Sequence, residues 1–505
     1  MTGLPIIFYW TFAFRGLFDP RQVLLWLLVL SLPFGSLAVV PPGLTAGLTL
    51  LPTSMTAVWL CVRVFFLRRN GTRELVTALF SYRSLGLLFL FWLYAIYVTL
   101  FAPRFFAGEI VVVPMRPSGF MTAELLRPTK QNISQMLYLT ISVAMVLAIF
   151  QLFRRSKVRA VFPRIWLTGS MIVVGTGVLD LLSKFLPLKA LLDPFRTASY
   201  AFLTEVEISG GAKRVVGLMP EASSYGSLCI VFLSILYFMI PAFPQTYLRR
   251  RASVVCCLLV VMTVLSTSSA AYVGLGVFLA FAALEWLHRN VLSGTAKVAS
   301  LHKGAYAVMA ILSAVALLFL FLPSFFDPMI ARINMLIFEK VDTSSYLERS
   351  FWTRTAFEAG ISSYFLGTGL GSVRGSNILA TQFGSFGAPG CILYYLFVAR
   401  LLWGRMPQHT DLQDAALVRA MRWSFWPPFC VALLVGTTPD FGVEGGLRWG
   451  ILLALSVALP KTNLLNRAYW PLGFRVEKYS CPSYRERNFG MREPSKIVPF
   501  RGHSR

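Results

Sequence analysis

Charge is scarce in this chain. Of its 505 residues only 14% are Asp, Glu, Lys or Arg, whereas 56% belong to the hydrophobic set, for a mean hydropathy of +0.65. Soluble globular chains are about a quarter charged, so an ordinary soluble protein is excluded. Long polar stretches are missing too. The longest without a convincing apolar run is Pro323 to Phe383, too short for a sizeable core of its own, which excludes a large catalytic domain hung on a membrane anchor. No segment matches the glycine-rich phosphate loop ending in Gly-Lys-Ser/Thr. Gly367-Thr-Gly369-Leu-Gly371 lacks the spacing and the strand-helix setting of a dinucleotide fingerprint. Heptads, repeats of 20–50 residues and low-complexity linkers are absent.

What is present is a succession of apolar runs, at 22–41, 43–62, 84–102, 133–153, 165–183, 221–243, 252–267, 270–287, 305–322, 384–399, 423–437 and 449–460. A bilayer crossing takes about 20 apolar residues, so the sequence predicts about twelve transmembrane helices in one polytopic domain, 1–460, followed by a basic tail, 461–505. The turns at Pro41-Pro42 and Ser266-Thr267-Ser268-Ser269 predict tight hairpins. The first apolar run has no small-residue cleavage site and reads as a retained anchor. With the N-terminus inside, 32 of the 47 basic residues fall on the inner side, and Arg68-Arg69, Arg154-Arg155 and Arg249-Arg250-Arg251 each follow a run that exits there. Lys and Arg are retained on the cytoplasmic side, so both termini are expected to be cytoplasmic. The formal charge of +25 is thus a topological signal, with membrane lipid as its partner and no nucleic acid.

This sidedness gives the scarce residues meaning. The four histidines, His288, His302, His409 and His503, all map inside. None of the seven cysteines lies in an outside loop. A Ser-His-Asp triad, a His-ligated metal or a disulfide framework on the outer face is therefore excluded.

Three outer loops are long, 103–132, 184–220 and 323–383, and long ordered loops are usually functional. The third is rich in charges of both signs. Its Arg349 and Arg354 lie at the start of and within a predicted short helix from Ser350 to Ile361, where the competing reading is an interfacial helix with snorkelling arginines. The second ends in Lys213-Arg214 and then Pro220-Glu221-Ala222-Ser223-Ser224-Tyr225. Pro220 and Glu221 suit a helix first turn, yet an ionisable group at the edge of a membrane cavity is also a candidate site. Cations here fit a departing pyrophosphate, which arginine holds through bidentate contacts. The glycines Gly367, Gly369 and Gly371, with Ser372, would let backbone approach such a group; a plain turn before the next span is the alternative.

The series Glu348-Arg349-Ser-Phe-Trp352-Thr-Arg354, Phe365-Leu-Gly367-Thr-Gly369-Leu-Gly371-Ser372, Ser376-Asn377 and Gly384-Ser-Phe-Gly387-Ala-Pro-Gly390 resembles the signature of bacterial O-antigen and exopolysaccharide polymerases, a superfamily shared with O-antigen ligases. Met219-Pro220-Glu221-Ala222-Ser223 is similar to a Glu-Pro-Ser element of that family, with Ala in place of Pro. Leu265 to Gly274 resembles its serine-rich hairpin but lacks the usual arginine. The resemblance implies an all-α membrane glycosyltransferase of the C-type in the bacterial inner membrane. It would join undecaprenyl-pyrophosphate-linked oligosaccharides at the periplasmic face without metal or cofactor. A flippase and a chain-length regulator of the same pathway would be partners. It implies catalytic roles for Arg349 and Arg214 at the pyrophosphate and for Glu221 at the acceptor hydroxyl, and substrate contacts from Lys213, Arg354, Arg374, Gly367, Gly369, Gly371, Ser372, Asn377 and Tyr225. Ligases commonly carry a histidine after the Gly-x-Gly stretch, and Gly375-Ser376-Asn377 has none, which favours a polymerase and leaves an atypical ligase or a protein-glycosylating transferase as the alternatives. A lipid-linked oligosaccharide flippase also has about twelve spans, but symmetric halves and mid-membrane polar residues would be expected of it.

Overall fold

A computed structural model describes residues 3–19, 22–40, 44, 49–68, 71–115, 121–198, 207–208, 212–288, 344–404 and 412–456. These belong to a unit running Met1–Leu459. The span expected at 305–322, the turn at Pro41-Pro42 and the tail from 461 lie outside the described residues.

The described chain is helical apart from two antiparallel strand pairs, β1 (Val111–Val112) with β2 (Glu124–Leu125) and β3 (Glu207–Ile208) with β4 (Ala212–Lys213). Its helices are α1 (Leu4–Phe18), α2 (Val23–Ser31), α3 (Pro52–Val62, continued by a π-turn to Leu67), α4 (Gly71–Ser81), α5 (Arg83–Phe105), α6 (Lys130–Phe153), α7 (Ser156–Leu182) and the single turn α8 (Lys189–Leu192). There follow α9 (Ala222–Met239), α10 (Thr246–Leu265), α11 (Ser269–Leu287), α12 (Ser344–Ser362), α13 (Ile378–Trp403), α14 (Leu412–Trp423), α15 (Trp426–Val435) and α16 (Gly442–Ser456). Among the described residues six helices are long and apolar enough to cross a bilayer: α5, α6, α7, α9 with its following turn, α11 and α13. The architecture is that of an all-α, multi-pass membrane protein.

Several expected spans take another form. The run 22–41 is helical only to Ser31, because Pro33 and Gly35 follow at once. Beyond it the chain is irregular yet buried at Ser36 to Val39. Unpaired backbone is not tolerated against lipid, and here its groups are satisfied by protein: Ser36 N–H donates to the Leu218 carbonyl (3.0 Å), Val39 N–H to Leu50 (3.0 Å) and Thr197 N–H to Ser36 (3.0 Å). The run 252–267 lies in α10, whose first turns also hold Arg249 to Arg251. The runs 423–437 and 449–460 are the shorter helices α15 and α16. Helices α1, α4 and α14 occupy segments expected to be inner loops.

Close packing follows small residues. A Cβ at Gly446 would lie 2.9 Å from the Ser142 carbonyl, and one at Gly450 would lie 2.6 Å from Ile149 Cβ. These two glycines, four apart, let α16 seat directly on α6, the small-xxx-small device of membrane helices. Trp166 of α7 stacks on Phe232 of α9 at 4.5 Å between ring centroids.

Candidate functional site

A helix break organises this region. Helix α13 bends at Gly387, where φ is +63° and ψ −169°, two residues before Pro389. The break frees backbone groups inside an apolar bundle, and the loop 363–377 supplies their partners. Thr368 N–H donates to the Gly384 carbonyl (2.8 Å), Gly369 N–H to Ser385 (3.0 Å), and Ala388 N–H to Phe365 (2.8 Å). The loop is anchored on its far side as well. Asn132 Nδ2 of α6 donates to the Leu370 carbonyl (2.7 Å) and to Ser372 Oγ (2.8 Å), and Leu370 N–H donates to Thr99 Oγ1 of α5 (3.0 Å).

The glycines are consumed by this packing. Gly367, Gly369 and Gly371 all have positive φ, and a Cβ on each would meet Gly387 N at 2.5 Å, Thr99 Cα at 2.9 Å and the Gln131 carbonyl at 2.5 Å. The space a side chain would need at these three positions is filled by α13, α5 and α6, which accounts for glycine there as part of a tight turn. Gly371 and Ser372 border a separate small cavity of about 170 Å³ beside β2.

The ends of that loop carry the charged groups to one place. An open cleft of about 860 Å³ lies between α12, the start of α11, the N-terminus of α13 and the end of α15, and Arg349, Arg354, Thr353, Asn377 and Ser269 line it. Asn377 caps α13, its Oδ1 accepting from Leu379 N–H (2.8 Å) and Ala380 N–H (3.3 Å). Arg354 is paired with Glu358, one turn on, at 2.7 Å and is 81% exposed at the rim. That pairing raises its guanidinium above the usual value.

Arg374 leaves the loop just before the cleft. Its backbone N–H donates to the Val113 carbonyl beside β1 (2.8 Å), and its guanidinium lies over the Trp352 ring, 3.8 Å from the centroid. Burial pushes that guanidinium below its ordinary range; Glu348 opposes the shift, Arg349 adds to it, and Glu221 opposes it. The four charged groups therefore share one electrostatic neighbourhood. Arg214 joins through Glu221: burial lowers its guanidinium, while Glu221 and Tyr272 act in the opposite sense. Arg214 Nε donates to Thr267 Oγ1 (3.2 Å) and its Nη2 to the Thr267 carbonyl (3.1 Å), which fixes it on the α10–α11 turn beside the cleft. Glu221 is the N-cap residue of α9 and accepts from the hydroxyls of Ser223 and Ser224.

Two expected residues fall elsewhere. Tyr225 is fully buried, its hydroxyl donating to the Val173 carbonyl (2.9 Å) and its ring filling the space left by Gly177 and Gly217; it is a core residue without access to the cleft. Lys213 has its backbone in β4, opposite Glu207, and its side chain lies outside the description.

One residue escaped the sequence reading. Asp180, buried near the end of α7, accepts from the N–H groups of Val216 (2.7 Å) and Gly217 (3.1 Å) with one oxygen and lies 3.5 Å from Arg196 with the other. It ties down the segment immediately after Arg214. A lone acid inside an apolar run is the signal that could have found it.

The chain matches no family model and no curated protein.

Proposed function

We propose that this protein is a polysaccharide polymerase of the bacterial inner membrane, joining undecaprenyl-pyrophosphate-linked oligosaccharide repeat units at the periplasmic face. The observation that carries the reading is an open cleft lined by Arg349, with Arg374 feeling the charges of Arg349 and Glu221, and Arg214 that of Glu221, combined with the resemblance of the segments that bear them.

The chemistry follows from the charges. A donor headgroup in the cleft presents its pyrophosphate to Arg349, with Arg374 behind it. The acceptor sugar hydroxyl attacks the anomeric carbon of the donor as the bond to the pyrophosphate oxygen breaks. Negative charge grows on that oxygen, and fixed guanidinium groups stabilise it without reorganisation. Glu221, oriented by two serine hydroxyls, receives the acceptor proton. The anomeric centre inverts. The lipid tails stay in the bilayer, since the cleft opens between helices. The glycine loop contributes by fixing the packing of α12 on α13, where Gly384 lies against the Ala356 carbonyl.

The test supplies purified protein in lipid vesicles with undecaprenyl-pyrophosphate oligosaccharide repeats from the host and no nucleotide. A ladder of lipid-linked multiples is expected. Transfer to another acceptor without a ladder would make the protein a ligase, and movement of intact substrate across the vesicle without new bonds would make it a transporter.

A further inference from the structure

At the far end of α6 from the glycine loop lies a second cavity, of about 440 Å³, between α1, α2, α3 with its π-turn and the α6–α7 junction. Helix α6 has 24 residues, about 36 Å of rise, so this cavity and the cleft sit at opposite faces of a bilayer. Three guanidinium groups line it: Arg63, Arg68 and Arg155. The remaining wall is mostly apolar, with Leu17, Leu25 and Leu152 among its members.

The cations are only partly satisfied by protein. Arg63 Nη1 and Nη2 donate to the Gly16 and Asp19 carbonyls at the end of α1 (2.6 and 2.5 Å). Arg68 pairs with Glu74 of α4 at 3.2 Å, and neither acid lines the cavity. Arg155 is exposed at the rim, and its side chain makes no hydrogen bond or ion pair among the described residues. The carbonyls ending α6 are already taken, since Arg159 donates to those of Phe153 and Arg154 (2.9 and 3.0 Å) and is itself held by Asp414 at 2.7 Å. Burial and the Arg68 cation push the Arg155 guanidinium below its usual range; Glu74 opposes this and Arg63 adds to it. On the same wall Gln22 has a buried side-chain amide oxygen with no hydrogen-bond partner among the described residues.

We infer that this cavity is a binding site for a phosphate-bearing anion, and that the ligand is the headgroup of an acidic phospholipid. Three cations around one hollow bind a phosphate through charge-assisted hydrogen bonds, and the leucine wall receives the first part of an acyl chain where free phosphate would leave it bare. Arg68 and Arg155 would then hold a specific lipid in addition to setting orientation. The inference is independent of the chemistry at the cleft.

The test is native mass spectrometry of the full-length protein in neutral detergent, titrated with phosphatidylglycerol, with phosphatidylcholine or with inorganic phosphate. One phosphatidylglycerol per chain is expected to remain bound. Arg155→Ala should weaken this at least about tenfold, whereas Arg250→Ala, at an exposed cation on α10, should not. Because the Arg155 side chain bonds to no described protein group, its variant should melt at the wild-type temperature without lipid; Arg155→Gln repeats the test if it does not. Arg155-dependent binding of inorganic phosphate with equal affinity would keep the anion site but assign it to a soluble ligand. Binding unchanged in both Arg155 variants, or weakened equally by Arg250→Ala, would overturn the proposal.

Discussion

At the residue scale the account rests on which charges share the cleft. In the proposed reaction Arg349→Ala removes a planar donor pair from the developing pyrophosphate charge. About 3–4 kcal/mol of barrier, or two to three orders of magnitude in rate, is expected from losing one such contact. Arg349→Lys should fail almost as badly in the same initial-rate assay, since a point charge does not reproduce the fork. Asp180 acts from a distance. Asp180→Ala leaves the Val216 and Gly217 N–H groups without their acceptor and Arg196 without its buried partner, so thermal unfolding in detergent should show a loss of at least about 2 kcal/mol. The cations of the cleft were legible as residue types beside apolar runs. Arg374 could be named from its neighbours, but its stacking on Trp352 could not, because that contact depends on the path of a loop. Tyr225 was misplaced for the opposite reason: a tyrosine in a helix first turn looks accessible until Gly177 and Gly217 are seen to open a pocket for its ring.

At the element scale the glycine loop and the broken α13 form one unit, each completing the other's backbone hydrogen bonds. Gly369→Ala places a side chain at a φ of +86°, 2.9 Å from Thr99 Cα, and is expected to cost about 1–3 kcal/mol, read as a lowered melting temperature with activity falling alongside. If it instead abolished substrate binding with no change in melting, the loop would be a ligand contact after all. Gly450→Leu should separate α16 from α6 and destabilise the bundle by a comparable or larger amount, measured in the same way. Long helices such as α5, α6 and α13 were legible because length and hydropathy are local properties. The irregular stretch after α2 was not. Its backbone is completed by Leu50, Thr197 and Leu218, and partners so distant in sequence leave no trace in local periodicity.

At the scale of the whole molecule, α9 starts at its N-cap Glu221, and α10 ends just before Thr267, which holds Arg214, and Ser269, which lines the cleft, so Arg250 near the start of α10 lies at the other face. A membrane-impermeant thiol reagent added to spheroplasts should label Ser350→Cys, exposed on α12, above the wild-type background. Arg250→Cys should label only after permeabilisation. The reverse pattern would place the cleft on the cytoplasmic side and remove lipid-linked repeat units as its substrate. The central claim is that fixed arginines at this cleft drive polymerisation of those units. Its most direct test compares wild type and Arg349→Ala, reconstituted at equal density with equal melting temperatures, in the nucleotide-free ladder assay. The account predicts a ladder from the wild type and, from the variant, initial rates lower by two to three orders of magnitude. A variant ladder of undiminished rate would contradict it.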